Sequence, residues 1–287
     1  MSVLAVAPLS TFIQPYQLQI NQFLQKKPAC QFTGLNISHR DFAEQLRKRV
    51  VFPWIIDQRE AYLCGPNAYF FCLVSKKPDE YVKYVLDLWT HGEAELGNLA
   101  VKPSKACLTA RVSSDDTRAA DWIALASLRD ATNNFFDFNG PRDGTAGITM
   151  PVDLAAWFYK TGFSGVRNQT NIVLNGSLEN LQQAQRLFQG NHYVNLFISS
   201  KVIHLPKKAK LFPNHWVVLT SHILVKNKLI TNYQVSELEE MMDEPVSLHV
   251  ATWGLEQGRL PLHLANRRKV LTLGELLKFY FGYVAAL

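Results

Sequence analysis

The sequence predicts an α+β fold, because capped helical periodicity fills its first two thirds and short strand-like runs fill its last third. Up to Gly190, apolar residues recur at helical spacing between Pro, Gly and polar cap residues. Beyond it, short segments rich in Val, Ile, Leu and Thr are separated by turn residues. No repeat, low-complexity tract or Gly/Ser/Pro-rich linker divides the chain. The expected organisation is therefore a single core of residues 51–287, with residues 1–50 packed on it as an N-terminal extension.

Within 1–50 the patterning is weak, and one helix is expected from Asp41 to Val50. The next helix should begin at Cys64 and run to Ser75, with Pro66 in the first turn, where its missing N–H costs nothing, and Ala68, Phe71, Cys72 and Val74 facing a core. A helix from Pro78 carries Asp79 and Glu80 in its first turn, places Val82, Val85, Leu86 and Trp89 on one face, and stops at Gly92. Further helices are expected from Asp115 to Asn133, from Pro151 to Thr161 and from Leu178 to Gln189. The strands expected to follow are Tyr193 to Ile198, His215 to Ile223, Lys228 to Tyr233 and Val246 to Thr252, which read as one antiparallel sheet. A last helix opens with the capping box of Thr272 and Glu275 ahead of Leu276, Leu277 and Tyr280.

Bulk composition narrows the function classes. The 287 residues, 47% hydrophobic, suffice for a sizeable core. The net charge is +6, yet only 19% of residues are charged. The densest basic groups, Lys207, Lys208 and Lys210 and then Arg267, Arg268 and Lys269, read as solvated surface, so no nucleic-acid partner is expected. Four cysteines, Cys30, Cys64, Cys72 and Cys107, are too few and too dispersed for a disulfide scaffold or a zinc site, so reduced thiols, no metal and no cofactor are expected. The N-terminus has no basic n-region, is broken by Pro8 and lacks a clear cleavage site; the apolar runs fall short of the roughly 20 residues of a membrane helix. Synthesis in the cytosol is expected, any export using a route without a cleaved signal, and no membrane span is expected.

Chemistry points to Cys64. A thiol reacts as thiolate, and a cysteine that begins a helix has unpaired backbone N–H groups and the positive end of the dipole beside its sulfur. Gly65 lets a substrate backbone approach, whereas Cys72, on the apolar face, reads as packing. Six residues upstream, Gln58 offers a side-chain amide to the oxyanion that forms when sulfur attacks a carbonyl, with the Cys64 backbone N–H as a second donor. The segment Gln58-Arg-Glu-Ala-Tyr-Leu-Cys64-Gly65-Pro66-Asn67-Ala68 resembles the papain-like cysteine peptidase superfamily, most closely its bacterial leader-peptide peptidases. That resemblance implies a helical half that carries the cysteine, packed against an antiparallel sheet whose strand opens with the base. His215, at the head of Asn214-His215-Trp216-Val217-Val218-Leu219, fits that position. His222 and His249 sit within or on strands without opening one, and His91 ends a helix, where a cation suits the dipole.

The third position departs from the family. Val250-Ala251-Thr252-Trp253-Gly254 resembles its Asn-Ser-Trp-Gly segment, which implies that Trp253 shields the histidine, but Ala251 stands where the orienting asparagine should be. Thr252 is the nearest polar substitute and Asn232 the fallback. The expected catalytic set is Cys64, His215, Gln58 and Thr252, with Gly65, Trp253 and Asn214 lining the substrate.

The helical stretch at about 110–190 has no counterpart in that resemblance and reads as an insertion of the kind seen in bacterial effector toxins. Within it Asp121-Trp122 to Arg129-Asp130 and Gly147-Ile148-Thr149-Met150-Pro151 stand out. Arg129 and Asp130 suit a helix surface, and Thr149 with Pro151 a helix start.

The expected function is a thiol hydrolase that cleaves a peptide or amide bond of a protein or peptide substrate. The same Cys-His pair would serve a glutamine deamidase or transglutaminase, and the loss of the asparagine would suit a catalytically inactive binding protein on the same scaffold.

Overall fold

The computed structural model describes residues 14–59, 61–113, 117–132, 149–203, 212–254, 260–261 and 270–287. It is a mixture of helices and antiparallel sheet. The helices are α1 (Pro15–Lys26), α2 (His39–Val51), α3 (Cys64–Lys76), α4 (Pro78–His91), α5 (Lys105–Thr109), α6 (Ala119–Asp121), a π-helical segment Trp122–Ala126, α7 (Ser127–Thr132), α8 (Pro151–Lys160), α9 (Leu178–Gln189), α10 (Val235–Glu239) and α11 (Leu273–Phe279). The strands are β1 (Ala94–Leu96), β2 (Leu99–Val101), β3 (Arg167–Thr170), β4 (Tyr193–Ile198), β5 (His215–Leu219), β6 (Leu224–Val225), β7 (Lys228–Leu229), β8 (Val246–Ser247), β9 (His249–Ala251), β10 (Leu260–Pro261) and β11 (Tyr280–Ala286). No helix among the described residues is long and apolar enough to cross a membrane.

The sheet that matters for the site has the order β10-β9-β5-β4-β11-β3, antiparallel throughout. Because side chains alternate across a strand, its two faces feed two cores. Phe197, Trp216, Val218, Ala251 and Val284 join α1 to α4 and the 119–132 helix, with Ile20, Phe42, Phe70 and Trp89. Val194, Leu196, Val217, Val250 and Tyr283 join α9, α10 and α11 on the opposite face. The sheet is thus covered on both sides, and β5 lies in its interior against α3.

Several sequence expectations change here. The run after residue 228 ends as a strand at Leu229 and continues as a 3-10 turn, Ile230–Asn232, because Ile230 turns inward to full burial. The expected strand from His215 stops at Leu219, and His222 lies in the connection, its Nδ1 hydrogen-bonded to Gln185 Nε2 at 2.8 Å. The expected strand Val246 to Thr252 is two strands in different sheets. Tyr280 is the first residue of β11, not part of the last helix; β11 bulges at Gly282, whose φ of +101° and contact with Gln169 O exclude a side chain. Arg129 and Asp130 are buried instead of lying on a surface, because the helical stretch from Ala120 to Asp130 is buried on every face. Positions 115 and 133 of the expected helix, Gly147, Ile148 and both basic groups fall outside the described residues.

Candidate active site

α3 starts at Cys64 because Leu63 supplies the first carbonyl of the helix, accepting from Asn67 N–H at 2.9 Å, and Pro66 occupies the first turn. The sulfur consequently sits among unpaired backbone N–H groups. β5 meets this helix end at its own beginning. The Cys64 thiol donates to the carbonyl of Asn214 at 3.9 Å, and the Trp216 N–H also reaches the sulfur. Residues on either side of His215, remote in sequence, thus converge on one atom of the helix tip.

His215 is buried, and its Nε2 pairs with Thr252 Oγ1 at 2.8 Å. Trp253 stacks on the ring, centroids 4.5 Å apart and planes at 21°. To do so Trp253 adopts a φ of +52°, followed by Gly254 at +58°. A bulky residue in the left-handed region costs on the order of 1–3 kcal/mol and persists where the surroundings require it. Here the turn carries both groups that hold the imidazole. Ala251 lies in β9 opposite Val218 and is packed in the helical core, so the position of the orienting asparagine is occupied by core packing. Asn232 is exposed on its 3-10 turn and takes no part.

The Gln58 segment closes the ring of contacts. Ile56 O accepts from Asn67 Nδ2 of α3 at 3.0 Å, Asp57 N–H donates to Asp121 Oδ2 at 3.3 Å, and Asp57 O accepts from Thr117 Oγ1 at 3.1 Å. Asp121 is itself fixed by the fork of Arg49, Nε to Oδ1 at 2.6 Å, in a pair with no solvent exposure on the carboxylate side. The Asp57 side chain fills the space above Gly254, whose added Cβ would lie 2.3 Å from the Asp57 Cβ. Gln58 is therefore carried on a rigid strut between α3 and the Thr252-Trp253-Gly254 turn. It is 6% exposed, and among the described residues its Oε1 has no hydrogen-bond partner. A buried amide oxygen left so costs about 1–3 kcal/mol.

Gly65 is closed over by Thr149, whose Cβ and Oγ1 lie 2.3 Å from where a Gly65 Cβ would stand. The Thr149 carbonyl accepts from Trp216 Nε1 at 3.0 Å, while its buried hydroxyl has no partner among the described residues. Asn214 uses its side chain on Ser200, Oδ1 accepting from Ser200 N at 2.8 Å and Nδ2 donating to Ser200 Oγ at 3.1 Å. Its backbone meets the sulfur and its side chain braces the strand start.

Burial pushes the Cys64 thiol up; hydrogen bonds from the N–H groups of Trp216, Gly65 and Cys64 and the charge of Arg129 pull it down without cancelling that. Cys72 is buried with its Sγ 3.7 Å from Asn195 Oδ1, and burial raises it far more. All four cysteines are free thiols. Among the described residues no group of three His, Cys, Asp or Glu could hold a metal.

The segments of Asp121, Arg129 and Thr149 stand out in the sequence, but Arg129 reads there as helix surface and Thr149 as a helix start, and their burial beside α3 was not foreseen. The available signal was a charge inside the apolar run Ala119 to Leu128, which a partner must neutralise if the run is buried. Comparison of the chain with protein-family models, with curated proteins and with solved structures finds no match.

Proposed function

We propose that this chain is a papain-like thiol hydrolase acting on a peptide or amide bond, with Cys64 as nucleophile and His215 as general base. The observation that supports it most is the convergence on the Cys64 sulfur of the Asn214 carbonyl and the Trp216 N–H, the two neighbours of His215. In this reading His215 takes the thiol proton as sulfur attacks the carbonyl carbon, and the Gln58 amide and Cys64 N–H donate to the oxyanion. The amine leaves with the proton from His215, forming a thioester. Water, giving a proton back to His215, then releases the acid and regenerates the thiol. Thr252 and Trp253 orient the ring in the way a third member does, through a neutral hydroxyl.

Cys64→Ala should abolish release from fluorogenic peptide and glutamine-amide substrate pools while leaving cooperative melting intact, and Gln58→Ala should lower the rate by roughly 10²–10³. Turnover surviving in Cys64→Ala would sink the reading. A binding protein on the same scaffold is the second reading, favoured by Ala251 at the asparagine position and by the burial that raises the thiol. It predicts that Cys64 reacts with iodoacetamide no faster than free cysteine near neutral pH.

A further inference from the structure

Asp57 stands where the two arms of the candidate site meet. Along the chain it precedes Gln58, and the backbone at this point is held by side chains of Asn67, Asp121 and Thr117. Asp57 Oδ1 also accepts from Arg59 N–H at 2.8 Å, which closes a turn around Gln58 and accompanies the Arg59 φ of +46°. On its other side the same side chain lies on Gly254: a Cβ added there would stand 2.3 Å from Asp57 Cβ, 2.6 Å from Cγ and 3.0 Å from Oδ2. Gly254 directly follows Thr252 and Trp253, which hydrogen-bond and stack on the His215 ring. One side chain therefore touches both the turn that carries the amide and the turn that carries the partners of the imidazole.

We propose, resting on His215 as base and Gln58 as oxyanion donor, that Asp57 is a positioning residue that sets these two groups relative to one another. The need lies in the turn after β9. Trp253 and Gly254 both take left-handed backbone, at φ +52° and +58°, and a bulky residue holds that conformation only where its surroundings enforce it. Asp57 closes one way out: the turn cannot drop toward the Gln58 segment without meeting its Cβ and carboxyl group. The Thr252 hydroxyl is neutral, so the ring is held by where this turn rests more than by charge. The effect of Asp57 is one of shape and of an acceptor for Arg59 N–H, both of which an asparagine would retain. Productive geometry tolerates errors well below about 1 Å, and a stop shared by both arms keeps them in step.

The test uses the full chain with isotope-labelled histidine, reading the His215 ring resonance by NMR at fixed pH alongside turnover of fluorogenic peptide and glutamine-amide pools; the resonance is assigned by its loss in His215→Ala. Asp57→Ala should displace it while those of His39 and His222, which are held on other elements, stay in place. The same variant should lower kcat by about 10- to 100-fold with KM little changed. Asp57→Asn should restore both readouts. In a Gln58→Ala chain, Asp57→Ala should cost less than it does alone, because one of the two arms it aims is already missing. Three results overturn the proposal: a cooperatively melting Asp57→Ala with the His215 resonance unmoved, an equal cost with and without Gln58, or an Asp57→Asn that behaves like Asp57→Ala. Where Asp57→Ala loses cooperative melting, Asp57→Glu decides: the extra methylene pressed against Gly254 should displace the His215 resonance, and an unmoved one refutes the contact. A wild-type chain that turns over neither pool would remove the hydrolase reading, whereas displacement of His215 by Asp57→Ala and its recovery in Asp57→Asn would still uphold the coupling.

Discussion

Replacing Thr252 by valine keeps the β-branched shape and removes the one hydroxyl that meets His215 Nε2 at 2.8 Å. Thr252 is 7% exposed and His215 4%, so water cannot take the vacated place. A buried donor left without its acceptor costs about 1–3 kcal/mol, more than the average net worth of a neutral hydrogen bond, because desolvation is not recovered. The cost falls on the imidazolium, whose Nε2 must carry a proton, and so on the thiolate–imidazolium pair. At 1.36 kcal/mol per tenfold, Cys64 alkylation near neutral pH should slow by about 5- to 160-fold. The assay is the iodoacetamide rate on folded protein, with melting monitored in parallel and the substitution repeated in His215→Ala. A rate within about twofold of wild type, or an equal loss when His215 is already gone, would refute the reasoning, since the hydroxyl would then not act through the ring.

Three further outcomes follow from the same geometry. Asp121→Ala leaves the Arg49 guanidinium buried without its carboxylate and should cost about 3–5 kcal/mol in chemical denaturation, part of which Arg49→Met in the same chain should restore; a loss below about 1 kcal/mol would show the pair to be hydrated. Gly65→Ala drives a methyl into Thr149 and should destabilise by about 1–3 kcal/mol, with Thr149→Gly relieving it; equal stability of the single and double variants would contradict the contact. The Cys72 and Cys107 thiols are raised by burial, so the folded chain prefers them neutral: their stabilising contribution is whole below the ordinary thiol value of 9.0 and is lost as pH rises above it, by up to about 1.4 kcal/mol per pH unit for each. Cys72→Ala should flatten that alkaline slope, measured as denaturation free energy against pH, and an unaltered slope would count against it.

Elements with end signals were legible in the sequence. Pro78 and Gly92 bracket α4, Thr272 and Glu275 open α11, and Cys64 opens α3, each through groups that satisfy or relieve a helix terminus. α1 was not visible, because only Ile20 and Phe23 of its twelve residues are buried and the exposed Leu18 and the interspersed glutamines blur its apolar face. β11 was hidden for the opposite reason: buried on both faces, Tyr280–Ala286 shows no alternation and continues a helical pattern without a stop. Within the site, Cys64 was singled out by its place at a helix start, and His215 and Thr252 by the resemblance of their segments to a family pattern. Arg129 was not, because a helix buried on every face has no polar side in its spacing to set an inward charge apart from an outward one.

The placement of β11 sets an order of events during synthesis. Its residues hydrogen-bond β4 on one edge and β3 on the other, so β3, although made before the other five strands of that sheet, cannot join it until the segment 280–286 has been made. The strands β10-β9-β5-β4 pair with one another without it, so the sheet around His215 does not wait for β11, and only the far edge does.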